Sequence, residues 1–400
     1  MSGNGNRRSS GYTSRPSCFL VRLRSLWPAL SSVLGHEYFF WTLVGLLLVL
    51  TLSSPEHVPQ YPALVDWPTI AALLGLLIVT KGIEVSGALH ALAHRVLTHL
   101  QNQRALALFL VGSAALLATV LTNDIVLFMI VPLTIALQRL TDVPISQLVI
   151  FEALAVNVGS ALTPIGNPQN LFLWQLSHTS FVHFLSGMAP LVSVLGSLLL
   201  LWMVVVFHPT PITVRSPDTP RSVNTRLLLL SLALYGPFVV SIEWHQPLLG
   251  AAVVLVCYLL SFPAVVRQID WVLLLVFILM FLDLRLVANL AIIQTGMQHI
   301  GLTIPTRLFL VGVVASQLIS NVPAAILLAH YSPDWRLIAY AVTVGGFGLV
   351  MGSLANLIAL RLAPDPRLWL RFHGYSVPFF LLSGTLVYGW LRWREATALF

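Results

Sequence analysis

The chain is written in long apolar runs separated by short polar punctuation, and that spacing predicts its elements. Runs able to cross a bilayer as helices lie near 38–54, 66–86, 147–174, 185–207, 226–242, 248–265, 270–294, 336–362 and 375–392. A crossing takes about 20 residues. Two further pairs of runs, 105–121 with 125–138 and 307–319 with 323–331, have shorter arms. The first pair meets at Thr122-Asn123-Asp124 and the second at Ser320-Asn321. Such pairs predict re-entrant helical hairpins at 105–138 and 307–331. Their tips should face a site rather than lipid, because irregular backbone at membrane depth is tolerated only inside protein or beside a wet cavity.

The order of these features repeats. Leu108-Phe109-Leu110-Val111-Gly112 recurs as Leu308-Phe309-Leu310-Val311-Gly312. Each copy leads to a hairpin tip and then to a run carrying G-x6-G-x3-N: Gly159, Gly166 and Asn170 in one half, Gly345, Gly352 and Asn356 in the other. The predicted fold class is an all-α polytopic membrane protein of two inverted-topology repeats. Each repeat has a re-entrant hairpin and a broken, unwound transmembrane helix. A basic tail, 1–37, precedes a first repeat at 38–207, with its broken helix at 147–174. A linker and connecting span at 208–247 lead to a second repeat at 248–400, with its broken helix at 336–362. Basic loops set the sense of the spans. Lys81, Arg95, Arg104, Arg139, Arg215, Arg221, Arg226, Arg267, Arg361, Arg367 and Arg371 fall on the side of the basic tail when the first hairpin returns to its own side. That places the N-terminus in the cytoplasm, opens the first hairpin from the cytoplasm and the second from outside; Arg307, Arg336, Arg392 and Arg394 are exceptions. Matching interrupted segments in two halves point to the binding site of a secondary transporter.

Composition narrows the class. The chain is 57% hydrophobic and 9% charged, against roughly 25% charged in soluble domains. Its net charge of +7 is carried largely by loop arginines, so it reports topology and not a nucleic-acid partner. The two cysteines, Cys18 and Cys257, supply neither a disulfide framework nor a zinc site. No His-Glu-x-x-His motif, catalytic carboxylate pair or nucleophile elbow is present, which argues against an enzyme, and no cofactor is expected. The segment 87–104 mixes apolar and basic positions at helical spacing, and His90 and His94 read as the polar face of an interfacial helix.

The candidate chemistry sits in the breaks. Asn157 to Asn170 packs two prolines, two glycines and three asparagines into an apolar run. Proline removes a donor and clashes with the preceding turn, so the helix should unwind and expose carbonyls and N–H groups at depth. Free carbonyls suit cations and helix N-termini suit anions. Thr122 and Asn123 can cap the second hairpin arm, or bind an ion or cargo. Asp124 is sharper, since a carboxylate at membrane depth costs about 2.5–3.5 kcal/mol on insertion scales. The second half keeps Ser320, Asn321, Gly352, Ser353 and Asn356 but is less polar. Glu152, Asp283 and Arg285 lie within apolar runs, and Lys81 and Glu84 near a span end.

These residues resemble the ion transporter superfamily, which includes citrate transporter-like permeases, divalent anion/sodium symporters, arsenite efflux proteins and some sodium/proton antiporters. Thr163-Pro164-Ile165-Gly166-Asn167-Pro168-Gln169-Asn170 looks like its Gly-Thr-x-Ile-Gly-x-Pro-x-Asn loop. Asn123 and Asn321 look like the asparagines of its two Ser-Asn-Thr hairpin tips, and the run from Asp270 to Phe277 like its Trp-x-x-Leu-Leu-x-Phe segment. The likeness spans roughly 38–392 and is nearest to a citrate-transporter-like bacterial inner-membrane permease.

The resemblance implies an elevator-type carrier in the inner membrane, often a homodimer, moving a small carboxylate-like anion or inorganic oxyanion with sodium or protons. Carried over residue by residue, Thr122, Asn123, Asp124, Thr163, Gly166, Asn167, Asn170, Ser320, Asn321, Gly352, Ser353 and Asn356 would line the ion and substrate sites. Sodium would be held at Thr122, Asn123, Gly166 and Asn167. The third tip position departs from the pattern, being Asp124 in one half and Val322 in the other. Both lose a hydroxyl, and Asp124 would repel an anion, which raises arsenite efflux or sodium/proton antiport as alternatives. A gated channel is the alternative of another class.

Overall fold

The computed structural model describes residues 38–88, 91, 102–137, 143–211, 222–363, 365 and 367–397. The basic tail, most of the 87–104 segment with His90 and His94, Arg139 and the middle of the linker lie outside the described residues.

Among the described residues the chain is helical throughout, with no named strand. In chain order its main helices are α1 (Tyr38–Ser53), α2 (Trp67–Val85), α3 (Gln103–Ala118), α4 (Asn123–Leu137), α5 (Ile145–Ser160), α6 (Pro168–Ser177), α7 (Phe181–Val206) and α8 (Thr225–Glu243). They continue as α9 (Pro247–Ser261), α10 (Trp271–Ala288), α11 (Ala291–Ile300), α12 (Pro305–Ile319), α13 (Asn321–Ala329), α14 (Trp335–Gly345), α15 (Leu354–Leu362) and α16 (Leu368–Thr397). By length and composition α2, α7, α8 and α10 can each cross a membrane unaided.

The scarce polar residues are spent on helix starts. Asp66, Asn102, Asp270 and Asp334 each accept a backbone N–H three residues on, at 2.8–3.0 Å. Asn224 does the same for α8 at 3.1 Å. These caps satisfy donors that lipid cannot.

The helices form two groups. In one, α5 is buried along almost its whole length, with α3, α4, α7, α15 and α16 packed on it; α12 and α13 pack likewise on α14. In the other, α2 is flanked by α8 and α9, and α1 lies on α10. The groups meet where α10 packs on α13 and where α2 packs on α4 and α6. Phe172 of α6 stands edge-on to Phe281 of α10 at 5.4 Å. Within the first group, Trp335 at the start of α14 stacks on Phe184 of α7 at 4.6 Å.

Two expected spans end early. The run 270–294 does not continue as one helix: α10 stops at Ala288, Asn289 closes it, and α11 begins at Ala291. The run 248–265 stops at Ser261, because Pro263 opens a short new helix, Pro263–Gln268. Arg285 leaves Asp283 for Asp66, 3.9 Å away, and lies over the Phe281 ring. Lys81 and Glu84 pair with each other at 2.8 Å.

Candidate functional site

Each polar break is a real interruption of helix, and each is tied to the neighbouring hairpin. Between α5 and α6 the backbone leaves the helix over 161–167. Asn167 restarts it: its Oδ1 accepts the Asn170 N–H at 2.9 Å, and its Nδ2 donates to Ser160 Oγ at 3.1 Å. Asn170 reaches back across the gap, its Nδ2 donating to the carbonyls of Ala161 at 3.0 Å and Thr163 at 3.2 Å. These amides replace the backbone bonds that Pro164 and Pro168 forbid.

The first tip closes onto this gap. The Asn123 N–H donates to the Gly166 carbonyl at 3.0 Å. Thr163 Oγ1 donates to the Thr119 carbonyl at 2.5 Å. The approach needs glycine. A Cβ on Gly166 would stand 2.4 Å from the Ser160 oxygen, and one on Gly159 would stand 2.0 Å from the Ala115 oxygen. So Asn123, Thr163, Gly166, Asn167 and Asn170 are brought into one buried cluster, with Thr122 and Asp124, also buried, flanking Asn123 at the tip. Within it Thr122 Oγ1, Asn123 Oδ1, Gln169 Oε1 and Asn170 Oδ1 are buried without a hydrogen-bond partner. All are oxygens, so the cluster offers acceptors to whatever it holds.

The second half builds the same arrangement with fewer polar atoms. Ser320, the junction of α12 and α13, sits at φ 74, a left-handed region that side chains avoid. Asn321 opens α13 and is buried beside Gly346. The gap between α14 and α15 contains the turn Val350–Gly352, and Ser353 caps α15 by accepting the Ala355 N–H at 3.3 Å. Asn356 Nδ2 donates back to the Gly346 carbonyl at 2.8 Å, the counterpart of Asn170. Gln317 closes the gap from the hairpin side. Its Nε2 donates to the carbonyls of Gly345 and Phe347, each at 2.5 Å, and its Oε1 accepts the Leu349 N–H at 2.8 Å.

One residue joins the two breaks. Asn157 Nδ2 donates to Asn356 Oδ1 at 2.8 Å, and Ser353 Oγ donates to Asn157 Oδ1 at 3.0 Å. Packing is reciprocal as well: α4 lies on α15, and α13 lies on α6. Each hairpin's second arm therefore covers the far limb of the other half's broken helix.

The sequence places Asn157 within the broken run but assigns it no role, and it does not single out Gln317. The available signal was a lone amide in an apolar helix, Gln317 standing three residues before the tip at Ser320. A cavity of about 450 Å³ opens elsewhere, lined by Val143, Pro144, Ile145, Ser146, Gln147, Arg371 and Tyr375.

Comparison with known proteins gives the family. The pattern of the citrate transporter family matches residues 38–345. The inner membrane protein YbiR of Escherichia coli is 43% identical over 361 residues, covering 90% of this chain and 97% of that protein. An uncharacterised transporter of Methanocaldococcus jannaschii is 30% identical over 359 residues, 86% of this chain and 91% of that protein. A silicon efflux transporter of Oryza sativa is 28% identical over 148 residues, 37% of this chain and 30% of that protein.

Proposed function

This chain belongs to the citrate transporter family, and we propose that it is a secondary active carrier of the bacterial inner membrane. It moves a small carboxylate-like anion or inorganic oxyanion, coupled to sodium or protons. The two hairpins and two broken helices travel together past the remaining helices, in the manner of an elevator. The observation that carries this reading is the pair of helix gaps, the first clasped to a hairpin tip, the second closed by Gln317 of a hairpin arm, and the two joined through Asn157. A fixed channel needs no such paired, bonded breaks, whereas a carrier needs a pocket that moves as one body.

The coupling cation is assigned to the first gap. Thr122, Asn123 and Asn170 supply orphaned oxygens there, with Gln169 beside them. The Gly166 carbonyl and the Asn167 side chain, expected as cation ligands, already hold the Asn123 N–H and the Asn170 N–H. Each oxygen keeps a second lone pair with which it can still ligate the cation. The cargo is assigned to the face between the tips, with Ser320, Asn321, Gly352, Ser353 and Asn356 from the second half.

A second reading, arsenite efflux or sodium/proton antiport, is favoured by a specific feature. Asp124 stands at the first tip, and no Lys, Arg or His is among the buried polar and charged residues described. An anionic cargo would then depend on the bound cation for its counter-charge.

The test is uptake into proteoliposomes with citrate and arsenite as probes. Asn123→Ala should insert and purify normally yet lose uptake of the probe that the wild type carries. Wild-type uptake by Asn123→Ala would remove the site assignment. An imposed sodium gradient at fixed pH should drive accumulation if sodium is the coupling ion; indifference to it leaves protons.

A further inference from the structure

The buried charged side chains among the described residues are all acids: Asp124, Glu152 and Asp283. None is in a salt bridge, since the ion pairs found join Lys81 to Glu84, Arg285 to Asp66, Arg371 to Asp365 and Arg392 to Glu395. Glu152 is the most enclosed by elements of the proposed moving body. It lies on α5, is fully buried, and accepts one hydrogen bond on Oε1 from the Thr134 hydroxyl of α4. Its Oε2 has no partner.

The two helices involved also build the first break. α5 runs into the gap at 161–167, and α4 begins at the tip residue Asn123. Glu152 therefore sits in the seam between the hairpin arm and the broken helix. A charge placed there changes how those two elements bind each other. An unpaired carboxylate ion in that seam would have lost its water and gained one hydroxyl, a poor exchange. A calcium or magnesium ion is no remedy. Those ions take six or more oxygens, and Glu152 has a single hydroxyl beside it; no group of three metal-binding side chains occurs among the described residues. A proton needs no further ligand.

Among the described residues, no ion pair joins Glu152 to a charge on the elements packed on α5. α3 carries Arg104, which donates to the Phe207 and Val204 carbonyls. α4 carries Asp124 at its far end, and α7 carries His183, stacked edge-on against Trp335. α15 carries Arg361, an exposed residue at its last turn. On α16, Arg371 pairs with Asp365, Tyr375 accepts from Gln147, His373 bonds the Trp369 carbonyl, Arg392 pairs with Glu395, and Arg394 lies over Trp390. Tyr388 completes the set on that helix.

From this we infer that Glu152 is a proton-binding site of the carrier, taking up a proton from one side of the membrane and giving it up to the other as the bundle moves. This rests on the carrier reading and makes the proton one coupling ion; Thr134 positions the carboxyl. The proton is the only species exchanged: the neutral acid forms on uptake and the carboxylate on release.

Two measurements test it on the full-length protein in liposomes. In the first, infrared spectra are recorded across a pH titration. The wild type should show a protonated-carboxyl band that Glu152→Gln lacks and that Thr134→Val shifts. Identical wild-type and Glu152→Gln spectra throughout would overturn the proposal. In the second, an inward proton gradient is imposed with citrate or arsenite as probe. Glu152→Gln should lose accumulation and flatten the pH profile, while Glu152→Asp should restore a displaced profile. Wild-type accumulation and pH response in Glu152→Gln would overturn it. Failure of the carrier reading looks different: wild-type vesicles would show no saturable exchange of either probe, and the infrared arm would still decide the state of Glu152.

Discussion

Asn157 carries more of this structure than its single amide suggests. Its two polar atoms serve Asn356 and Ser353, 199 and 196 residues away in sequence. Replacing it with alanine leaves both partners buried without it. Each orphaned group costs roughly 1–3 kcal/mol, so Asn157→Ala should lower the thermal midpoint of the purified protein clearly below that of Asn289→Ala. Equal midpoints would show that the bridge contributes nothing. Gly166 makes the complementary point about space. An added methyl would meet the Ser160 and Ala118 carbonyl oxygens at 2.4 and 2.7 Å, both backbone atoms that cannot rotate away. Gly166→Ala should therefore lose transport, with a reduced yield of monodisperse protein; normal uptake would contradict the close approach. Much of the first cluster was legible in sequence because proline, glycine and asparagine inside an apolar run have few uses but a break. Gln317 was not legible. It closes the second gap with three bonds, yet in sequence it is one amide in an otherwise ordinary helix.

At the scale of elements, the hairpins and broken helices follow from where the chain can afford polar backbone. Arms α3 and α4 begin where polar residues start them: Asn102 caps one and the tip opens the other. The end of α10 was less legible: Asn289 is a weak stop signal among apolar neighbours, and only the turn into α11 reveals it. The halves are also clasped at a loop. Asp365 accepts from Ser146 Oγ at 2.6 Å, from the Arg367 N–H at 2.9 Å and from Arg371 at 3.1 Å, linking the start of α5 to the connection before α16. The Ser146 hydrogen bond, followed by the Arg367 N–H, holds the Asp365 carboxyl below its ordinary value. Such a group adds stability that is fully present above the unfolded value, about pH 4, and is lost as pH falls through the lowered folded value. Asp365→Asn should remove that part of the acid dependence. A thermal-shift series in detergent from neutral to acid pH checks it; parallel curves for wild type and variant would exclude the clasp.

At the scale of the whole molecule, polar atoms are gathered at helix starts and at the two gaps, and apolar side chains are left to face outward. Exposed Leu200, Leu229, Leu260 and Leu318 are the expected surface of a protein whose solvent is lipid. Family membership supplies the class, membrane transport, while the bonded pair of gaps is what the proposal of a moving pocket rests on. Substrate identity was never legible, since one tip keeps Ser320 and the other replaces a hydroxyl by Asp124, and such a set fits more than one oxyanion. The most direct measurement is counterflow. Proteoliposomes holding the purified protein are loaded with unlabelled citrate or arsenite and diluted into a trace of the labelled compound. A carrier with one alternating pocket should draw label in transiently above its equilibrium level, saturably with the internal concentration, and Asn123→Ala should abolish the overshoot. Label that only ever equilibrates, together with ohmic unitary currents across a planar bilayer, would contradict the account.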